Sequence, residues 1–131
     1  MEKHSVAWGS GLLAVAVGLG AFGAHGLKAL IDPAALANWN TAVHYQFIHA
    51  LGILVLAALT GPLPAAATRR VRNLFLLGIA FFCGSLYLLS TRELTGLDGM
   101  TAFIGPITPL GGVMFIVGWI GLLITVIRSK G

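Results

Sequence analysis

The sequence has few charged residues, and none of them lies within four long stretches of the chain. Charged side chains make up 9% of the residues, against about 25% in typical soluble domains. The stretches that lack Asp, Glu, Lys and Arg are residues 4–27, 33–68, 73–91 and 99–127. A helix that crosses a bilayer needs about 20 mostly apolar residues. Each stretch has room for one such helix, which excludes an ordinary soluble protein.

Other absences exclude several classes of function. The one cysteine, Cys83, forms no disulfide within the chain and no thiolate metal cluster. The apolar stretches contain no carboxylate pair, and the sequence contains neither HExxH nor a phosphate-binding loop, so we expect no enzyme, cofactor or metal site. The alternative is an outer-leaflet enzyme that uses His44 or His49 as a base. The pI near 9.9 comes from a few scattered cations without a basic face, which argues against nucleic-acid binding.

What remains is a strongly apolar chain with a mean hydropathy of +0.93. The stretches lack the two-residue alternation of membrane strands. We therefore predict an all-α integral membrane protein, a four-helix transmembrane bundle that forms a single domain over residues 1–131. The predicted spans cover approximately residues 5–24, 42–59, 74–90 and 110–127.

Turn residues indicate where these helices begin. Asp32-Pro33 and Thr108-Pro109 each resemble an N-cap residue followed by proline at the first helical position. A helix from residue 33 to residue 59 would be about 40 Å long, more than the roughly 30 Å hydrocarbon core. We expect its first two turns to protrude, to lie at the interface, or to break near residues 38–40.

The distribution of Lys and Arg predicts the orientation. In a four-span chain, both termini and the middle connection share one face. That face carries Lys3, Arg69, Arg70, Arg72, Arg128 and Lys130, whereas the other carries only Lys28 and Arg92. Lys and Arg concentrate on cytoplasmic loops, so both termini are predicted to be cytoplasmic. Trp8 and Trp119 would then mark the inner interface and Trp39 the outer one.

The first span has a second interpretation. Lys3, the apolar stretch and the small residues 21–24 also resemble a secretory signal peptide. Cleavage there would leave three spans in the same orientation.

Small residues recur at helix-packing intervals in three spans. Helices in lipid associate through close backbone approach at such positions, because little hydrophobic force acts between them. The positions predicted to pack, within the bundle or between copies, are Gly11, Gly18, Gly20, Gly84, Gly111 and Gly118.

Polar residues gather in the predicted outer half of the spans. At about 100° per residue, Thr41, Tyr45 and His49 fall on one face of the second helix, with His44 and Gln46 beside it. Residues at the outer ends of the first and third helices lie at similar depth. The candidate binding residues are His25, Lys28, Thr41, His44, Tyr45, Gln46, His49, Tyr87 and Arg92.

Such a cluster has a structural and a functional interpretation. In the structural interpretation, the side chains are hydrogen-bonded to neighbouring helices and fix their register. In the functional one, they mark a site, as ionisable groups at membrane depth often do. The leading functional hypothesis is a non-enzymatic module whose outer pocket binds a lipid headgroup, a quinone or a partner subunit. The alternatives are a homo-oligomeric transporter of protons or small solutes and an accessory subunit of a larger membrane complex. Haem held by His25 and a histidine of the second helix is a further alternative.

Four segments resemble the signature segments of the domain-of-unknown-function family four-two-three. They are residues 20–28 (GAFGAHGLK), 39–51 (WNTAVHYQFIHAL), 84–89 (GSLYLL) and 107–112 (ITPLGG). These small bacterial membrane proteins are similar to an animal mitochondrial transmembrane protein. The resemblance implies a multi-pass protein of the bacterial inner (plasma) membrane, and it leaves the biochemical activity open.

Overall fold

The computed structural model describes residues 2–129, and within them four long helices form the molecule. Lys130, which the charge count includes, lies outside these residues. The helices are Lys3–Ala24, Pro33–Leu59, Ala65–Ser90 and Ile107–Arg128, and they are called the first to the fourth helix below. Each of them, taken with adjoining short turns, is long and apolar enough to cross a membrane. The predicted all-α membrane bundle is confirmed.

Short helical turns complete the connections. Leu27–Ala29 lies between the first and second helices. Arg92–Thr95, Asp98–Met100 and Thr101–Ile104 lie between the third and fourth. The second and third helices are joined by residues 60–64, where Gly61 adopts a φ of 124° that favours glycine.

The second helix begins where the sequence predicts. Asp32 caps the second helix, because its side chain accepts a hydrogen bond of 2.7 Å from the Ala35 amide, and Pro33 follows at the first position. The second helix then runs unbroken for 27 residues, so the possible break near residues 38–40 is excluded.

The Thr108-Pro109 prediction is wrong. The fourth helix begins at Ile107, which places Pro109 third in the helix. The first amides of a helix have no partner within it, so proline is tolerated there. The Thr108 hydroxyl, instead of capping, is hydrogen-bonded to the Ser85 hydroxyl of the third helix.

The helices pack in chain order, first on second, second on third and third on fourth. Buried and half-buried positions recur every three or four residues, the spacing of close-packed helices. One such row on the first helix consists of Ser5, Gly9, Leu12, Ala16, Leu19 and Gly23. The row on the second helix that faces it consists of Trp39, Val43, Gln46, Ala50, Ile53 and Ala57. The two rows face each other in antiparallel order.

Glycines at the contacts between helices allow the neighbouring helix to approach closely. A Cβ added at Gly111 would lie 2.2 Å from the Phe82 backbone nitrogen, and one at Gly118 would lie 2.6 Å from Phe75 Cε1. Three further glycines make similar contacts. They are Gly9 against Leu54, Gly23 against Trp39 and Gly78 against Phe115. Gly78 also lies at a predicted packing interval of the third helix, whereas Gly9 and Gly23 were not predicted to pack.

The other predicted packing glycines lie differently. A Cβ at Gly20 would meet Val43 at an ordinary 3.4 Å, and no atom lies within 4 Å of one at Gly11, Gly18 or Gly84. These three therefore make no close helix contact within the described part of the bundle, because they lie outside the three-to-four-residue rows.

An ion pair ties the start of the first helix to the third helix. Arg72 Nη1 lies 2.9 Å and 3.0 Å from the two carboxylate oxygens of Glu2, and the Ser5 hydroxyl donates to the same carboxylate. The Ser5 hydrogen bond and the Arg72 charge hold the pKa of Glu2 below its usual value, against a smaller opposing effect of burial.

The Glu2–Arg72 pair predicts a pH dependence of stability. Because the pKa of Glu2 is lower in the folded protein, its stabilising contribution is present above the ordinary pKa of about 4.3 and is lost as the pH falls through the folded value. We expect Glu2→Gln to lower the thermal midpoint in detergent at pH 6 and to have less effect near pH 3. An equal effect at both pH values would contradict this role.

Candidate functional site

The polar residues of the second helix divide into two groups on different faces. The first group points toward the first and third helices. Gln46 Nε2 donates to the Leu12 carbonyl at 2.9 Å, and the Tyr87 hydroxyl donates to Gln46 Oε1 at 2.7 Å. Two turns away, Trp39 Nε1 donates to the Leu19 carbonyl at 2.9 Å.

These bonds fix the register of three helices. Trp39 and Gln46 are seven residues apart, as are their acceptors on the antiparallel first helix, so the bonds repeat every two turns. Gln46 is 2% exposed, and both ends of its amide are bonded to protein. For Gln46 and Tyr87 the structural interpretation therefore fits better than an open pocket. Trp39 is buried against Tyr87, so its side chain faces the bundle interior, and its depth at the outer interface stays a prediction.

A double-mutant cycle tests this hydrogen bond. Gln46→Leu, which keeps the volume, and Tyr87→Phe should each lower the free energy of unfolding by about 0.5–1.5 kcal/mol. The double variant should lose less than the sum, because both changes remove the same bond. Unfolding in mixed micelles measures the three values, with Thr41→Ala as the control on an exposed position of the same helix. Strict additivity would contradict the bond.

The second group surrounds His49. The His49 ring stacks on Phe115 with centroids 3.5 Å apart. His49 Nδ1 lies 2.8 Å from the Tyr45 carbonyl, and Trp119 Nε1 donates to His49 Nε2 at 3.1 Å. Because indole nitrogen only donates, His49 Nε2 accepts and the proton lies on Nδ1. His49 is thus a neutral imidazole whose two nitrogens are both engaged.

Trp119 lies near the middle of the fourth helix, beside a histidine near the middle of the second. An anchor at the inner interface is expected near a helix end, so this position does not support the predicted role of Trp119, whose depth stays a prediction. Trp8, by contrast, is exposed two turns into the first helix.

A groove of about 410 Å³ opens beside His49, between the second and fourth helices. The side of the second helix contributes His44, Tyr45, Ile48 and His49, and the opposite wall and floor are Phe82, Gly112, Phe115, Ile116 and Trp119. We call it the His49 groove. The groove is present because the third helix packs between the second and fourth helices and keeps them apart. Its floor lies over aromatic residues of the core that these three helices share.

The third helix widens at the floor of this groove. Residues Ile79–Cys83 form a π-helical turn within an otherwise α-helical segment. The turn carries Phe82, whose ring lies 4.6 Å from the Tyr45 ring and 5.7 Å from the Phe115 ring, centroid to centroid. Such turns are frequent at functional sites.

The remaining predicted site residues do not join the groove. His25 and Lys28 are exposed beyond the first helix. Arg92 donates to the Leu89 carbonyl and lies 3.6 Å from an Asp98 carboxylate oxygen. The Thr41 hydroxyl donates to Ala37 of its own helix. The expected single outer pocket is thus replaced by a buried bonding network and a separate groove.

Sequence reasoning missed the aromatic and apolar half of the groove. Phe82, Phe115 and Trp119 were not among the candidates, because apolar residues are the rule in membrane helices. The signal that identifies Phe115 is its place in the three-to-four-residue row with Gly111 and Gly118. Among residues 2–129, no group of three His, Cys, Asp or Glu side chains is placed to hold a metal ion.

Comparison with known proteins gives the family. Residues 19–112 match the family described as protein of unknown function DUF423. The chain belongs to this family. Over 115 residues it is 42% identical to the UPF0382 membrane protein YwdK of Bacillus subtilis, covering 87% of this chain and 88% of the relative. A UPF0382 membrane protein of Staphylococcus saprophyticus is 43% identical over 110 residues, covering 84% and 85%.

The relatives named as membrane proteins agree with the four long apolar helices of this DUF423 member. No solved structure matches the chain. The matched range includes all the residues of the second-helix side of the His49 groove, as well as Phe82 and Gly112.

Proposed function

We propose that this DUF423 protein is a non-enzymatic membrane module that binds a lipid-soluble molecule in the His49 groove. The observation that carries the proposal is a groove with polar groups that opens through apolar, exposed side chains. Ile48 and Ile116 at its edges are 41% and 59% exposed, and such side chains on a membrane helix face lipid. A volume of about 410 Å³ lies in the usual range of small-molecule pockets.

Binding is favoured over catalysis by the state of the groove's central histidine. A general base needs a nitrogen lone pair within reach of the substrate. His49 Nε2 accepts from Trp119, and Nδ1 faces the Tyr45 carbonyl. His49 therefore has no free nitrogen lone pair with which to act as a base.

Transport is disfavoured by the core beyond the groove. Residues 60–64 connect the second and third helices. Between the groove and this connection, the core of the described bundle contains Ile53, Leu56, Val71 and Phe75. A proton or solute path would need polar groups there, as ionisable residues mark such paths.

The orientation that we propose has both termini in the cytoplasm of a bacterium, with the chain in its inner membrane. The support is the excess of Lys and Arg on the face that carries the termini and the middle connection. A reporter that is active only in the cytoplasm should be active when fused after residue 131. Activity only of a periplasmic reporter at that position would reverse the orientation.

Native mass spectrometry of protein gently extracted from its own membrane tests the groove. The wild type is expected to carry an extra non-protein mass. Gly112→Leu, which projects a side chain toward the groove, should lose it, whereas Gly112→Ala should keep it, because a Cβ there lies 3.7 Å from the nearest atom. An unmodified wild type, or the same adduct on Gly112→Leu, would refute the proposal.

A further inference from the structure

The chemistry of the His49 groove defines the head group of its ligand. This inference rests on the proposed function, because it assumes that the groove binds a lipid-soluble molecule. Three properties of the lining decide the class: its charge, its free hydrogen-bonding groups and its ring surfaces.

The lining lacks the strongly charged residue types. Of the described residues that line the groove, none is Lys, Arg, Asp or Glu. The cations that the sequence suggested as partners of an anionic group lie elsewhere, with Lys28 exposed beyond the first helix and Arg92 beside Asp98. Phosphate recognition relies on Arg, Lys or arrays of backbone amides. A phospholipid headgroup is therefore a poor occupant, and a neutral head is favoured.

Two polar side chains of the groove remain open to a ligand. The hydrogen bonds within residues 2–129 already use both nitrogens of His49 and the indole nitrogen of Trp119. They include none by the Tyr45 hydroxyl or the His44 imidazole, and both of these residues line the groove. An imidazole and a phenol can each donate a hydrogen bond. A ligand with two acceptor atoms can therefore accept from both side chains.

The walls of the groove are flat rings. Tyr45, His49, Phe82, Phe115 and Trp119 supply five of them, and neighbouring ring centroids lie 3.5–6.2 Å apart. Aromatic surfaces of this kind pack on other planar rings by offset or edge contacts. A saturated acyl chain would use neither these faces nor the two donors.

We infer that the His49 groove binds a quinone, a neutral planar ring with two carbonyl acceptors and an apolar tail. The ring lies among the aromatic side chains, and Tyr45 and His44 donate to its carbonyl oxygens. The tail leaves past Ile48 and Ile116 into the lipid. The inference concerns binding alone and assigns no electron transfer to the protein.

Fluorescence quenching in vesicles tests the inference. The purified protein is placed in phosphatidylethanolamine–phosphatidylglycerol vesicles and titrated with a benzoquinone that bears a ten-carbon chain. Quenching of tryptophan emission by chance collisions in the bilayer rises without saturation, whereas a site adds a saturable part. We expect a saturable part in wild type and in Gly112→Ala, and its loss in Gly112→Leu.

The donors are tested by two conservative variants. Tyr45→Phe and His44→Leu should each weaken saturable binding by about two- to tenfold, the usual effect of one hydrogen bond. A dimethoxybenzene with the same chain, which lacks the carbonyls, should compete weakly. The inference would be overturned if quenching in wild type did not saturate and were identical to that in Gly112→Leu. It would also be overturned if both donor variants bound the quinone with unchanged affinity.

The two proposals fail in distinguishable ways. If extracted wild-type protein carries an adduct that depends on Gly112 but quinone binding does not saturate, the groove binds another class of lipid and only the quinone inference is wrong. If neither the adduct nor saturable binding is found, both proposals are wrong.

Discussion

Replacing Gly111 by alanine is expected to destabilise the bundle strongly, whereas the same replacement at Gly112 is expected to be tolerated. A Cβ at Gly111 would lie 2.2 Å from the backbone nitrogen of Phe82 and 2.8 Å from its Cα. Backbone atoms cannot rotate away as a side chain does, so the third and fourth helices would have to separate. At Gly112 the nearest atom lies 3.7 Å away, on the Phe82 side chain.

The expected difference is large for a single methyl group. Forcing atoms into a packed interface costs about 1–3 kcal/mol and occasionally more, and we place Gly111→Ala near 3 kcal/mol because its contact is with backbone. Gly112→Ala should be neutral or slightly stabilising, since alanine is the better helix former. Unfolding in mixed micelles, compared between the two variants, measures the difference. Equal stabilities would mean that the third and fourth helices are not packed at Gly111.

The second large effect is expected at Phe75, at the centre of the core. Phe75 is completely buried, and its ring lies 5.2 Å from the His49 ring and 4.7 Å from the Trp119 ring. A Cβ at Gly118 would lie 2.6 Å from Phe75 Cε1. Removal of the ring leaves a cavity shared by the second, third and fourth helices and takes away the support of His49.

We expect Phe75→Ala to cost about 2–4 kcal/mol. Phe→Ala in soluble cores costs about 3–5 kcal/mol, and part of that value is lost here because the unfolded chain remains in lipid, where little hydrophobic force acts. The matched control is Phe103→Ala, since Phe103 is 70% exposed. Both variants are followed by thermal unfolding in detergent. A Phe103→Ala variant as unstable as Phe75→Ala would contradict the assignment of Phe75 to the core.

The number and type of helices could be predicted because the bilayer imposes one dominant rule. A spanning segment must bury its backbone bonds and avoid charge, so the uncharged stretches mark the helices directly. The residues at which the helices begin and end were harder to predict. The third helix begins at Ala65, whereas the predicted span begins near residue 74. The difference arises because Arg69, Arg70 and Arg72 lie on the first turns of the helix and end the uncharged stretch from which the span was predicted. Polar residues extend a helix into water without any change in backbone pattern.

The site was harder to predict because neighbouring residues on a helix point about 100° apart. Tyr45 and Gln46 are adjacent in sequence, yet Tyr45 lines the groove and Gln46 is bonded to the first helix. The neighbour that each face of a helix contacts depends on the order in which the helices pack. In the sequence, that order is indicated only by the spacing of the residues that become buried. Trp39 shows the same difficulty, because the glycine that accommodates it, Gly23, lies on another helix.

The π-helical turn at Ile79–Cys83 had no sequence signal that we could identify. Its effect is local and clear. It places Phe82 against Gly111 on one side and against Tyr45 on the other, so a single side chain both closes the contact between the third and fourth helices and forms part of the groove. Helix packing and groove shape are coupled at this residue.

The occupancy of the His49 groove is tested most directly by an electron-density map of the protein crystallised with lipids from its own membrane. We expect density for a non-protein molecule between Tyr45 and Trp119, with a flat head against Phe115 and a tail that passes Ile116. A groove filled by protein side chains, or one that holds only disordered acyl chains like those on the rest of the surface, would contradict the claim that the His49 groove is a binding site.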